Sequence, residues 1–244
     1  MTFRSFIASL SLGLIAACTH AIVPDEPTTS DRSSGAVHWS GINPLAIGHI
    51  NSRLDQIEGQ SELQGGVLFL GDSITEGAPL HAMFPGLNVR NHGIAWDTGE
   101  GVLLRLNQVT RHRPDRIFLL IGTNDTNYTD DPARIGGNIL TIAERLGAEL
   151  PETELYVISV LPRGGQNNAV IPAVNALVRA AAETSDFVYL DLARAMRAKN
   201  GEMMPALSYD NLHLNVHGYS VWEEVLRTCV WDGCPDGTGP QSAR

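Results

Sequence analysis

The 244-residue chain has no run of basic residues, and its 17 Lys and Arg face 27 Asp and Glu, a formal charge of −10. An acidic chain of this kind offers no electrostatic footprint for nucleic acid, so none is expected as a partner. Its N-terminal apolar stretch, Phe6 to Ala17, is twelve residues long. A bilayer-spanning helix needs roughly 20, so this stretch is too short to cross one. Neither an internal repeat nor a low-complexity domain is present. His213 and His217 stand four residues apart, a spacing that can bind zinc, but there is no H-E-x-x-H pattern and no third ligand beside them. No metal is expected on that ground. There is also no long apolar insertion.

Only three cysteines occur, at positions 18, 229 and 234. The first follows a targeting segment: Arg4 supplies a short positive region, and Phe6 to Ala17 has the size of a signal-peptide apolar region. Ile15-Ala16-Ala17-Cys18 resembles the bacterial lipobox. The resemblance implies cleavage after residue 17 and a lipid on Cys18; an ordinary signal peptide with a coincidental cysteine is the alternative. Several acyl chains on one residue would anchor the protein to a membrane. Thr19 in place of Asp then favours the outer membrane, on its periplasmic face. Removing residues 1–17 removes Arg4 and no acid, which makes the formal charge −11. Residues 18–40, with Pro24, Pro27, Gly35 and several Ser and Thr, have the composition of a flexible tether. In an exported protein, Cys229 and Cys234 can close a small structural disulfide; two free thiols or half of a metal site are the alternatives.

Residues 41–244 are long enough for one domain with a substantial core. Short apolar runs alternate there with segments of helical period. The runs Val67–Leu70, Leu87–Asn91, Ile117–Ile121, Leu155–Val160 and Phe187–Leu190 suit strands covered on both faces. Helical spacing marks Pro44–Ile57, Val102–Val109, Ile135–Leu150, a segment starting at Pro172, and His217–Thr228. Alternating strands and helices predict right-handed crossovers and an open, doubly wound parallel sheet. In such sheets a site forms at the carboxyl ends of the strands.

Four short motifs fall at those ends. Ser73 lies in Gly71-Asp72-Ser73-Ile74-Thr75 after the first strand, and Gly93 in Asn91-His92-Gly93 after the second. Asn124 lies in Gly122-Thr123-Asn124-Asp125 after the third, and His213 in Asp210-Asn211-Leu212-His213 before the last helix. Together they supply a nucleophile (Ser73), a general base (His213) and an orienting carboxylate (Asp210). The oxyanion donors would be the Ser73 and Gly93 N–H groups and the Asn124 amide. Each has a plainer explanation: Ser73 with Glu76 reads as a helix capping box, and Asp210, Gly93 and Asn124 suit turns. Capping and turn chemistry do not account for all four motifs at once. Trp96 and Asp97, just beyond Gly93, are candidates for a substrate-pocket wall, Trp96 through stacking on a sugar or lining an acyl slot.

The four motifs, in this order, resemble the GDSL/SGNH hydrolase family, over roughly Gly65 to Arg227 of this chain. The resemblance implies a three-layer α/β/α, flavodoxin-like fold with a five-stranded parallel sheet, and a serine esterase working through an acyl-enzyme without a cofactor. It implies loop-bracing roles for Asp72 and Asp125. The stretch from Gly93 to Leu106 resembles the subgroup close to platelet-activating-factor acetylhydrolase and bacterial carbohydrate acetylesterases. Short acyl esters of carbohydrates are therefore the expected substrates, and a monomer the expected state. A lysophospholipase or thioesterase is the alternative, and a non-catalytic glycan-binding lipoprotein a remote one.

Overall fold

The computed structural model describes residues 44–60 and 64–234. The proposed signal peptide, Cys18 and the tether lie outside them. The chain opens with helix α1 (Pro44–Glu58), then β1 (Val67–Gly71), two one-turn helices α2 (Ser73–Glu76) and α3 (Leu80–Met83), and β2 (Val89–Gly93). Helices α4 (Gly99–Leu104) and α5 (Leu106–Thr110) lead to β3 (Arg116–Leu120) and a 3-10 turn (Asp125–Asn127). Then come α6 (Pro132–Glu149), β4 (Glu154–Ile158), α7 (Ile171–Ala182), β5 (Phe187–Leu190), α8 (Leu192–Met196) and α9 (Val216–Asp232).

The five strands form one parallel sheet in the order β2-β1-β3-β4-β5. This is the doubly wound α/β arrangement that the alternating pattern predicts. Successive side chains of a strand point to opposite faces. Phe69 joins a core with Phe84, Phe118, Tyr156, Trp222 and Leu226, packed by α3, α8 and α9. Leu68 and Leu70 join the other, with Val102, Leu119, Ile139, Ile142 and Val174, packed by α4, α5, α6 and α7. Two covered faces explain why the strands read as continuous apolar runs.

Most boundaries differ by a few residues from the predicted ones, as at Arg116–Leu120 and Val216–Asp232, and three of the differences have a local cause. Strand β2 starts at Val89, two residues late, because Leu87 sits in a turn whose carbonyl accepts from Val89 N–H. Strand β4 ends at Ile158, where the ladder to β5 closes with Ser159 N–H donating to Leu190 O. The segment 102–109 is two helices, not one, broken at Arg105, whose φ is −121°.

The order in which strands are added to the sheet reverses at β1: β2 lies on one side and β3 on the other. The register sets Gly71 beside Gly93 and Leu120, so the carboxyl ends of β1, β2 and β3 are level. Crevices at such reversals are where doubly wound sheets hold ligands.

Candidate active site

Ser73 leaves β1 two residues after its last pairing and opens α2. The helix cap is Asp72, not Ser73: Asp72 Oδ1 accepts from Ile74 N–H at 2.9 Å. The expected capping box is absent, since Glu76 turns away to accept Ala95 N–H and to meet His49. Relieved of capping, the Ser73 hydroxyl lies 2.9 Å from His213 Nε2. As the first residue of a helix, Ser73 also has no intrahelical acceptor for its own N–H. Gly77, one turn on, closes α2.

His213 is presented by a loop that the Ser208–Leu214 bridge pinches shut. Its Nδ1 lies 2.6 Å from Asp210 Oδ2, while Asp210 Oδ1 accepts His213 N–H at 2.7 Å and Leu212 N–H at 3.0 Å. Ser208 Oγ donates to His213 O at 2.7 Å, and the Tyr209 ring stacks on the imidazole at 5.8 Å. Desolvation pushes the Asp210 carboxyl up. The bonds from the His213 ring, His213 N–H and Leu212 N–H outweigh it and hold the group below the ordinary carboxylate range. The ionised carboxylate then fixes the ring with Nε2 facing the serine.

Asn124 follows β3 and is buried. One hydrogen of its amide goes to Asp97 O at 2.9 Å, which leaves the other for a ligand. Its loop is held from the β4–α7 connection: Arg163 Nη1 donates to Thr123 O and Thr126 Oγ1, both at 3.0 Å, and Asn167 Nδ2 donates to Thr126 O. Asp125 accepts Gly99 N–H through both oxygens. Burial outweighs that bond and raises its carboxyl to about 6.

Gly93 does not offer the donor predicted for it. Its N–H is committed to Asn91 Oδ1 at 2.9 Å, and a Cβ there would meet Glu76 N at 2.1 Å. The missing side chain is what lets α2, with Ser73, lie on β2. The open donor lies three residues on. Ile94, Ala95 and Asp97 spend their N–H groups on Gly71 O, Glu76 Oε2 and Ile94 O. Trp96 N–H has no hydrogen-bond partner among the described residues, and its φ is +67°. Asn124 bonds the carbonyl of Asp97, the residue after Trp96, which ties the loop that carries this amide to the Asn124 side chain. The donors this geometry leaves open for an oxyanion are thus Ser73 N–H, Trp96 N–H and the second hydrogen of the Asn124 amide.

Of the two expected pocket residues, Trp96 is 46% exposed and meets the His49 ring edge-on at 5.7 Å. Asp97 is not at the surface: it is buried in an ion pair with Arg105 at 2.7 Å, and Arg105 Nη2 also donates to His92 O and Gly71 O. Asp97 therefore braces the loop from beneath rather than walling a pocket. His217 N–H is capped by Asn215 at the start of α9, and no metal-binding cluster occurs among the described residues. Cys229 and Cys234 form a disulfide.

Several residues escaped the sequence reading. Asn91 stitches β2 to α2 through Thr75 O and Glu76 O, and its signal was present in the motif that was read only for its glycine. Arg105 and Arg163 act through bonds to distant backbone carbonyls, for which sequence spacing gives no sign.

Residues 69–221 match the GDSL-like lipase/acylhydrolase family. The chain is 30% identical over 166 residues to bovine platelet-activating factor acetylhydrolase IB subunit alpha1, covering 63% of this chain and 70% of that one. Among solved structures it is similar to a GDSL-like lipase from Bacteroides thetaiotaomicron, with a TM-score of 0.65, 21% identity, and 74% and 96% of the two chains covered. It is also similar to a catalytic mutant of an acetylxylan esterase from Geobacillus stearothermophilus, with a TM-score of 0.53, 19% identity, and 68% and 95% covered. At these identities the solved structures speak for the fold.

Proposed function

We propose that this chain, which belongs to the GDSL-like lipase/acylhydrolase family and is an ester hydrolase, acts on short acyl esters of carbohydrates, acetyl esters above all. The observation that carries the chemistry is the unbroken chain from Ser73 Oγ to His213 Nε2 and from His213 Nδ1 to Asp210 Oδ2, at 2.9 and 2.6 Å. Ser73 Oγ attacks the ester carbonyl carbon as His213 Nε2 takes its proton. The negative oxygen of the tetrahedral intermediate accepts from Ser73 N–H, Trp96 N–H and the Asn124 amide; one such donor is worth roughly 3 kcal/mol. Collapse expels the alcohol, protonated by His213, and leaves an acyl-serine. Water, deprotonated by the same imidazole, adds to the acyl carbon; the serine departs with the proton and the acid is released.

The carbohydrate preference is supported at the rim. Trp96, Tyr128 and Tyr209 are exposed aromatic rings on the loops that carry the three parts of the site. Flat rings of this kind stack on the apolar faces of sugars while leaving polar edges in water. A second reading is hydrolysis of a lysophospholipid or a thioester; the likeness to a platelet-activating factor acetylhydrolase supports it only so far as an ester substrate other than a carbohydrate. We further propose that lipid on Cys18 anchors the mature protein at the periplasmic face of an outer membrane, as a monomer.

The test is kcat/KM on p-nitrophenyl esters from acetate to palmitate, beside acetylated xylan and lysophosphatidylcholine, with Ser73→Ala as the blank. A steep fall beyond butyrate with acetate released from xylan is expected. A rise toward long chains with fatty acid released from the lysolipid would replace the carbohydrate reading. Cys18→Ala is expected to free the protein from membranes, and continued membrane fractionation would remove the anchor.

A further inference from the structure

We infer that α1, which precedes the residues matched by the family, is a working part of the site, with His49 and Arg53 as positioning residues for the oxyanion peptide Ala95–Trp96. The inference rests on the esterase reading above. Trp96 holds a left-handed backbone, which a residue with a side chain adopts only where its surroundings impose it. Those surroundings come from α1 and α2. Ile50 and Ile57 of α1 bury Ile94, one residue before the peptide. Strand β2 is an edge strand, so its outer carbonyls lack a strand neighbour. Arg53 supplies one, with Nε donating to Gly93 O at 3.0 Å and Nη2 to Asn91 O at 2.8 Å.

Glu76 then links α1 to the peptide. Its Oε2 accepts Ala95 N–H at 2.6 Å, and His49 Nε2 lies 2.8 Å from Oε1. The His49 ring also meets the Trp96 ring. Ile94 is thus held by apolar contact, Ala95 through its amide and Trp96 through its ring. Trp96 N–H is the group left over, and its direction follows from those three restraints. An oxyanion donor works only when aimed at the place where charge develops, so loosening α1 should affect the chemical step rather than substrate binding.

The experiment measures kcat, KM and thermal unfolding of His49→Ala, Arg53→Ala and His49→Gln on p-nitrophenyl acetate. The two alanine variants are expected to lose about tenfold in kcat, as misaimed donors do, with little change in KM. His49→Gln, which can still donate to Glu76, is expected to recover most of the loss. His49 is exposed, so its variants test the point even if Arg53→Ala folds poorly. An unchanged kcat in folded His49→Ala would overturn the inference and leave the esterase reading intact, as would a change confined to KM. A wild-type protein with no esterase activity dependent on Ser73 would instead overturn the esterase reading, and this inference with it.

Discussion

Trp96 does two things, one with its backbone and one with its ring. Trp96→Gly keeps the amide and suits φ +67° better than any other residue. It removes the ring contact with His49, one of the restraints on the amide, so kcat on p-nitrophenyl acetate is expected to fall by about tenfold, as in His49→Ala, and no further, since the donor itself survives, while KM for an acetylated oligosaccharide rises. A collapse of kcat on the small ester far beyond the loss in His49→Ala would show that the ring serves the reaction by more than aiming the amide. The sequence marked Gly93 instead because a backbone donor has no side-chain signature: a glycine is conspicuous, whereas an open N–H emerges only after its neighbours' bonds are assigned. Ser73, Asp210 and His213 were legible because their roles reside in side chains at fixed offsets. Asp72 carries a pH signature of its own. Burial raises its carboxyl from 3.8 to about 7, with Asp97 and Asp125 adding to the rise and Ile74 N–H opposing it. The folded protein therefore binds this proton more tightly than the unfolded chain does, and the contribution of Asp72 to stability falls as pH rises between those two values. Asp72→Asn keeps a cap for Ile74 and does not titrate there. The Tm of the wild type is expected to decline relative to Asp72→Asn as pH rises through that window; parallel Tm profiles would contradict the shift.

At the scale of elements, periodicity located every strand and each of the long helices, because amphipathic or doubly buried segments must repeat their apolar residues at the period of the element. It failed where one polar side chain overrode the pattern. Val102, Leu106 and Val109 share a buried face and read as one helix, but Arg105 breaks it into α4 and α5. Its guanidinium is drawn down to Asp97, Gly71 O and His92 O, partners up to 34 residues away. The one-turn helices α2, α3 and α8 were equally hidden, being too short to show a period. Arg105→Met would leave the Asp97 carboxylate buried without its cation, a change that typically costs about 3–5 kcal/mol. Chemical denaturation should register that loss, and kcat should fall as well, because Asp97 O anchors Asn124. A variant of unchanged stability would mean that the buried Asp97 carboxylate does not depend on this cation.

Over the whole molecule, chemistry and fastening occupy opposite ends of the sheet. Ser73, Trp96 and Asn124 gather at the carboxyl ends of β1, β2 and β3. At the amino ends, Arg116 pairs with Glu154 and donates to Val230 O, and Tyr156 Oη donates to Glu154 while accepting Cys234 N–H. Helix α9 joins the two ends, beginning three residues after His213 and finishing beside the Cys229–Cys234 disulfide. Its 17 residues span about 25 Å at 1.5 Å per residue. The disulfide restrains a short segment of the unfolded chain, and loop-closure entropy for about six residues gives roughly 2 kcal/mol. Cys234→Ala is therefore expected to lower stability by about that amount and to leave kcat/KM unchanged. The remaining Cys229 is buried against the Trp222 core and needs no new partner. The same Tm shift should appear when the wild type is reduced. A fall in kcat would mean that strain at the far end of α9 reaches the His213 loop, which the Ser208–Leu214 bridge and the Asn215 cap are placed to prevent.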